Sequence, residues 1–344
     1  MLKADVWVFG FAFEHHGNFS AFHRLNNYLP DTIRKIHIKF SGVRMLPRPL
    51  RHRLRSLYLS CAEKRLLREA IRWRPRLIHF LYPENCFSYG CFQHHFSGRV
   101  LLTLHQPSSV LPSFISSRQG LAFIETAKRA DRLIALAPNV VNGYRTFFQN
   151  KNVRVIPHGV DTGYFCCSSQ AKKMPIVLTV GNWMRDFRLW DEVALEFLRQ
   201  KRSERFCLVT NPENIQRWDL QQRTNIDFRH HLSDQAIRRL YDHAGCLFLP
   251  LTDSVANNAL LEGLAMGKRI LVTDLPGTKF YGKSRVFYIN KDRGAREAAA
   301  QLDQLLAKEA KPEEGLALRR YADQAFGWPK IAALYQEEYT SCIS

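Results

Sequence analysis

Acidic residues are scarce in this sequence: 31 stand against 50 lysines and arginines, a formal net charge of +19 over 344 residues. Such a deficit implies an anionic partner, which composition leaves open among nucleic acid, an acidic membrane face and phosphorylated small molecules. No RNA-recognition, KH or helix-turn-helix pattern is visible, so nucleic acid is not the expected partner. Cys-x-x-Cys pairs are absent, and the 8 cysteines are scattered apart from the neighbours Cys166 and Cys167. That excludes a disulfide framework and a structural zinc site. No Asp-x-Asp pair is present to chelate a divalent cation, and no metal is expected. No apolar run is long enough to span a bilayer. Residues 6–13 form a short apolar run without a small-residue cleavage site, which reads as a first strand and not as a signal peptide. The expectation is a cytoplasmic protein, either free or peripheral on the inner face of the membrane.

The length suits two ordinary domains, and 46% hydrophobic residues suffice for two cores. Short β-branched and aromatic runs alternate with longer helical patterns. In the first half the strand-like runs are 6–13, 33–40, 77–81, 100–104, 133–136 and 153–156, with helical stretches at 19–29 and 50–73. The pattern breaks at 161–175, an aperiodic stretch that reads as a linker, and resumes with runs at 176–180, 206–209, 226–228, 246–250, 270–273 and 286–289. Alternation of this kind predicts βαβ units and two parallel-sheet α/β domains. In open α/β sheets ligands sit beyond the carboxyl ends of the strands. Those ends carry unusual polar groups here, among them His15-His16-Gly17, Tyr82-Pro83-Glu84-Asn85, His105-Gln106, Gly181-Asn182 and residues 250–254.

Four stretches point further. VIPHGVDTGYF at 155–165, YDHAGCLFLP at 241–250, NALLEGLAMG at 258–267 and FGWP at 326–329 together resemble the family 4 glycosyltransferases. The resemblance covers nearly the whole chain and is densest from 153 to 277. It implies the GT-B fold: two facing Rossmann-like domains, with a C-terminal helix that crosses back onto the N-terminal domain. The implied domains are residues 1–165 on the acceptor side, 166–325 for the nucleotide-sugar donor and 326–344 as the crossover helix. The implied activity is retaining transfer of a sugar from a nucleotide-sugar to a glycan or lipid-linked acceptor, in cell-surface polysaccharide or glycoconjugate synthesis. No cofactor is implied, since the nucleotide-sugar is a substrate. The missing Asp-x-Asp agrees, because transferases of the other common fold use that pair to hold a metal.

A leaving diphosphate needs positive charge and free N–H groups, which basic side chains and helix N-termini supply. The segment from Ser254 through Asn257 to Asn258 is expected to open a helix over the phosphates, and Glu262 one turn on to bind the ribose hydroxyls, as the resemblance implies. The family pattern E-x7-E is altered: its first Glu falls on Ser254, and Asp253 stands one position away. After Gly181 the family places an Arg, where this chain has Asn182. Arg185 is the expected phosphate contact, because a planar guanidinium matches phosphate oxygens, with Arg188 in reserve. His105 resembles the family's histidine beside the reacting carbon. His16 and Gly17 stand at its turn after the first strand, on the acceptor side.

Residues 44–76 hold ten arginines and Lys64, with Leu50, Leu54, Leu57, Tyr58 and Cys61 at helical spacing. Two readings stay open: a core-facing helix with a solvated basic side, or a contact with anionic lipid or a phosphorylated carrier. Two further readings compete with the transferase. One is a nucleotide-sugar epimerase of the same fold. The other is a non-catalytic protein that binds anionic ligands, which the net charge permits.

Overall fold

The computed structural model describes residues 5–12, 17–39, 48–85, 96–167, 176–215, 224–309 and 311–344. The chain divides into two compact units: one of residues 1–16, 21–158 and 328–344, the other of residues 17–20 and 159–327.

The first unit is built on a parallel six-stranded sheet. Its strands are β1 (Val6–Ala12), β2 (Arg34–Lys39), β3 (Leu77–Phe80), β4 (Arg99–Leu104), β5 (Arg132–Ala135) and β6 (Val153–Val155), in the order β2-β1-β3-β4-β5-β6. Helices α1 (Arg48–Trp73), α2 (Arg118–Arg129) and α3 (Val141–Phe148) connect them. Parallel sheets are covered on both faces, so their strands are almost continuously apolar. Leu77, Ile78, Phe80, Leu101, Leu102, Leu133 and Ile134 are accordingly all buried.

The second unit has β7 (Ile176–Val180), β8 (Arg205–Val209), β9 (Ile226–Arg229), β10 (Cys246–Leu249), β11 (Ile270–Thr273) and β12 (Phe287–Ile289), in the order β12-β11-β10-β7-β8-β9. Its helices are α4 (Phe187–Arg199), α5 (Asp234–His243), α6 (Asn258–Ala265), α7 (Pro276–Gly282), α8 (Gly294–Ala307) and α9 (Pro312–Phe326). Counted from β7, this is the dinucleotide-fold order, in which the winding reverses between β7 and β10. The core between sheet and helices packs Trp190, Val193 and Phe197 of α4 against Phe206, Leu208 and Phe248, with Leu302 and Leu305 from α8.

The last helix, α10 (Trp328–Ile343), belongs to the first unit. Its buried residues Trp328, Ile331, Ala332, Tyr335 and Tyr339 recur at helical spacing and form one face. His79 is the polar exception inside β3. Its Nδ1 pairs with the Tyr339 hydroxyl at 2.7 Å and its Nε2 with the Thr103 hydroxyl at 2.8 Å, while Thr103 meets the Tyr335 hydroxyl at 2.9 Å. Burial holds the His79 imidazole well below its usual pKa, so the ring is neutral and can join a hydroxyl chain without a buried charge. Arg132 and Glu338 close the same seam with an ion pair at 2.7 Å.

Two local expectations need correction. The helical stretch at 19–29 is a short 3-10 run, Phe22–Asn27, without a side-chain cap. It starts late because residues 17–20 are a turn bound elsewhere: Asp234 accepts from the Asn18 backbone at 2.9 Å. The first part of the 161–175 stretch is folded, since the Asp161 carboxylate accepts from Tyr164 N at 2.9 Å and its carbonyl from Phe165 N at 2.8 Å. Residues 168–175 lie outside those described. For α1, the core-facing one of the two open readings falls. Leu50, Leu54, Leu57, Tyr58 and Cys61 do not face the core: they are exposed, and the buried stripe is Leu59, Glu63, Leu66 and Ala70, half a turn away.

Candidate active site

In the second unit the crevice rule selects the carboxyl ends of β7 and β10, where the winding reverses. The loop after β7 turns sharply at Gly181, whose φ of +124° no L side chain adopts comfortably. The Asn182 Oδ1 accepts from Thr210 Oγ1 at 2.9 Å and Asn211 N at 2.7 Å, which fixes the loop to the end of β8. Trp183 then points outward, 62% exposed. The far side of the loop is stitched to the segment after β10: Asp186 N donates to Pro250 O and Thr252 N to Met184 O, both at 3.0 Å. The loops that carry Arg185 and Asp253 are thus one assembly.

Arg185 departs from its expected posture. Its Nε donates to Val180 O at 3.1 Å and its Nη1 to Trp183 O at 3.0 Å, so much of the guanidinium fork braces the loop's own backbone. Burial lowers its pKa to about 10, opposed by the nearby Tyr241 and Glu262. Arg188 is not brought to the same place. It is exposed on the first turn of α4 and paired with Glu192 at 3.0 Å, one helical turn along.

The helix after β10 begins later than its sequence suggests. Asn257 is the N-cap of α6, and its side chain accepts from Leu260 N at 3.1 Å. The side chain is therefore engaged in holding the helix start. Asn258 donates through Nδ2 to Ser20 O at 2.6 Å. Upstream, the Asp253 carboxylate accepts from Ser254 N at 2.7 Å. The Ser254 hydroxyl is buried without a hydrogen-bond partner among the described residues.

Glu262 is not a surface carboxylate. It is 4% exposed, and its Oε2 accepts from the Tyr241 hydroxyl at 2.7 Å, with the Ser20 hydroxyl as a second donor. Burial raises its pKa to about 7, against the lowering pull of those two donors and of Arg185. Nothing in the sequence assigns Tyr241 or Ser20 to this site. Tyr241 lay in the quoted stretch 241–250 but showed no partner. Ser20 is distant in sequence and arrives because residues 17–20 fold with this unit. A Cβ on Gly17 would lie 1.8 Å from Asp234 Oδ1, so a larger residue there would push that carboxylate away from Asn18. His16 lies outside the described residues.

In the first unit the winding reverses between β1 and β3, and His105 follows the neighbouring β4. Its Nε2–H donates to Leu81 O at 2.7 Å, and the ring stacks on Tyr82 with centroids 4.6 Å apart. Burial, with a smaller contribution from His158, lowers its pKa to about 3. The imidazole is neutral, and the Nε2 bond leaves Nδ1 as its acceptor. The backbone N–H of His105 is held by Glu84, whose Oε1 also accepts from Gln106 N at 3.3 Å. Glu84 is itself buried, which raises its pKa to about 7. Glu84 belongs to the polar loop 82–85 at a strand end, where the sequence assigns its carboxyl no role. Among the described residues no group of three or more His, Cys, Asp or Glu stands together as a metal site, and no helix is long and apolar enough to cross a membrane.

Two family descriptions match the chain. Glycosyltransferase Family 4 matches residues 8–164 and Glycosyl transferases group 1 matches residues 174–308, so together they take in most of both units. The chain belongs to the family 4 glycosyltransferases. Solved structures agree on the fold of this transferase. Sucrose-phosphate synthase from Thermosynechococcus elongatus superposes with a TM-score of 0.70 at 16% identity, covering 98% of each chain. HepE from Anabaena, in complex with UDP-glucose, gives 0.71 at 12% identity over 97% of this chain and 99% of its own. A glycosyltransferase from Rickettsia africae gives 0.69 at 13% identity, over 98% and 99%. No curated protein sequence matches the transferase. Its two parallel sheets and the helix that returns to the first unit make this the GT-B fold.

Proposed function

We propose that this glycosyltransferase takes its sugar from a nucleoside-diphosphate sugar bound at the carboxyl edge of the second unit's sheet, and transfers it with retention at the anomeric carbon. The observation that carries the reading is Glu262: a buried carboxyl at the winding reversal, oriented by Tyr241 and Ser20 and electrostatically coupled to Arg185. A carboxylate so fixed accepts from vicinal ribose hydroxyls. Asp253 takes the place of the carboxylate missing at Ser254 and meets the transferred sugar. The N–H groups at the start of α6, with Gly181 and the remaining N–H groups of Arg185, stabilise the diphosphate as it leaves. In the first unit, the neutral His105 is an acceptor at Nδ1, suited to a sugar hydroxyl. HepE, of like fold, is solved with UDP-glucose, which favours a UDP-hexose donor.

In the transfer, the bond from the anomeric carbon to the phosphate oxygen breaks. The acceptor hydroxyl bonds to that carbon on the same face, and its proton passes to the departing phosphate. No protein base and no divalent cation are required, so turnover persists in EDTA. The acceptor is a glycan or lipid-linked sugar of cell-surface synthesis, with the enzyme peripheral on the inner face of the membrane.

Calorimetric titration with UDP, GDP and ADP tests the donor site. One of the three binds wild-type protein, and Glu262→Ala weakens it at least about tenfold, the scale of one charge-assisted hydrogen bond. Wild-type affinity in that variant removes the assignment. Product analysis by NMR then separates transfer with retention from epimerisation of free donor.

A further inference from the structure

The outward face of α1 (Arg48–Trp73) is divided along its length. In the first half it presents Leu50 at 45% exposure, Leu57 at 64% and Tyr58 at 45%, with Leu54 and Cys61 beside them. In the second half the same face carries Lys64, Arg65, Arg68 and Arg72, all exposed. The 100° helical step places these positions in one band, and the buried residues Leu59, Glu63, Leu66 and Ala70 on the opposite side. Acid is kept off the band: Glu63 is buried, and Glu69 is occupied by Arg34 and Arg65. Large apolar side chains repeated at helical spacing in water mark a contact surface, whereas scattered single ones do not.

We infer that this face of α1 lies in the plane of an anionic lipid surface, the leucines and Tyr58 entering the acyl boundary and the basic half meeting the headgroups. The inference rests on the peripheral attachment proposed above and names the surface that makes it. Charge decides the occupant. A second copy of this chain would bring another basic face and a net charge of +19 against the first. An anionic lipid surface supplies the opposite sign together with an apolar layer for the leucines.

Flotation of the full-length protein with phosphatidylglycerol-containing vesicles, and with pure phosphatidylcholine vesicles, tests this. Wild-type protein floats with the anionic vesicles at low salt and is released at high salt. Leu54→Ser/Leu57→Ser and Arg68→Gln/Arg72→Gln each reduce the bound fraction at least about tenfold, two basic contacts being worth at least that near such a surface. Circular dichroism and nucleotide affinity remain those of wild type in both variants. If wild-type protein floats and both variants float equally well, attachment is real but this face is not its site. If wild-type protein ignores anionic vesicles, peripheral attachment falls too, while the donor site stands. A concentration-dependent dimer abolished by Leu54→Ser/Leu57→Ser would overturn the lipid assignment in favour of a second copy.

Discussion

Two buried carboxyls, Glu84 and Glu262, hold protons at pH values where an exposed glutamate has lost them. Each is raised by burial from 4.5 to about 7. The native state therefore binds protons that the unfolded chain has released between those values, and stability falls as pH rises through that window. The contribution is present in full below about 4.5 and is lost as pH passes 7, each residue accounting for something on the order of 3 kcal/mol. Glu84→Gln keeps an acceptor for the backbone of His105 and Gln106 without an ionisable group. It is expected to lessen the fall of the melting temperature between pH 5 and 8, with Glu262 still supplying its share, and to raise it at the upper end. An unchanged pH slope in that variant would show that Glu84 is solvated in solution. The donor site proposed above adds a functional readout at Glu262, since ribose hydroxyls bound there would favour the ionised carboxylate. Nucleotide affinity is expected to strengthen as pH rises through about 7 in wild type, and to be weak and flat in Glu262→Gln. The neutral His105, near 3, contributes no titration to that profile.

At the scale of elements, α10 is held by a polar chain as well as by an apolar face. Tyr339→Phe removes one hydroxyl and leaves a nitrogen of His79 buried without a partner. The cost expected is about 1–3 kcal/mol, the penalty for a stranded buried polar group. In a domain of this size that lowers the melting temperature by roughly 2–4 °C per kcal/mol. His79→Leu in the same background removes the stranded group, so the double variant is expected to cost less than the sum of the singles. Simple additivity in the thermal melts would mean that the hydroxyl chain is not coupled. The β7 loop makes a contrasting case: Gly181→Ala forces a side chain into φ of +124° beside the Arg185 guanidinium, and is expected to destabilise the second unit and weaken nucleotide binding together.

Over the whole molecule, the strands were legible because burial on both faces leaves a strong signature. Every strand in the structure overlaps a run read from the sequence, from Val6–Ala12 to Phe287–Ile289. Side-chain posture was less legible. Spacing marked Leu50, Leu54 and Leu57 as one face of a helix but not whether that face turns in or out, which depends on what the rest of the unit offers it. Arg185 stands out in the sequence as a cation beside the turn expected to hold phosphate, yet its bonds to Val180 O and Trp183 O arise from the loop's own carbonyls, which no side-chain pattern reports. The net charge was legible at once and acts on the entire chain. At +19 the folded protein concentrates like charges that the unfolded chain spreads out, so self-repulsion opposes folding. Salt screens that repulsion, and equally the attraction of the Arg68 and Arg72 face for anionic lipid. Between roughly 0.01 and 0.15 M sodium chloride the Debye length falls from about 30 to about 8 Å, and the melting temperature is expected to rise while vesicle binding falls. A melting temperature that drops over the same range would mean that favourable ion pairs such as Arg132–Glu338 outweigh the net repulsion.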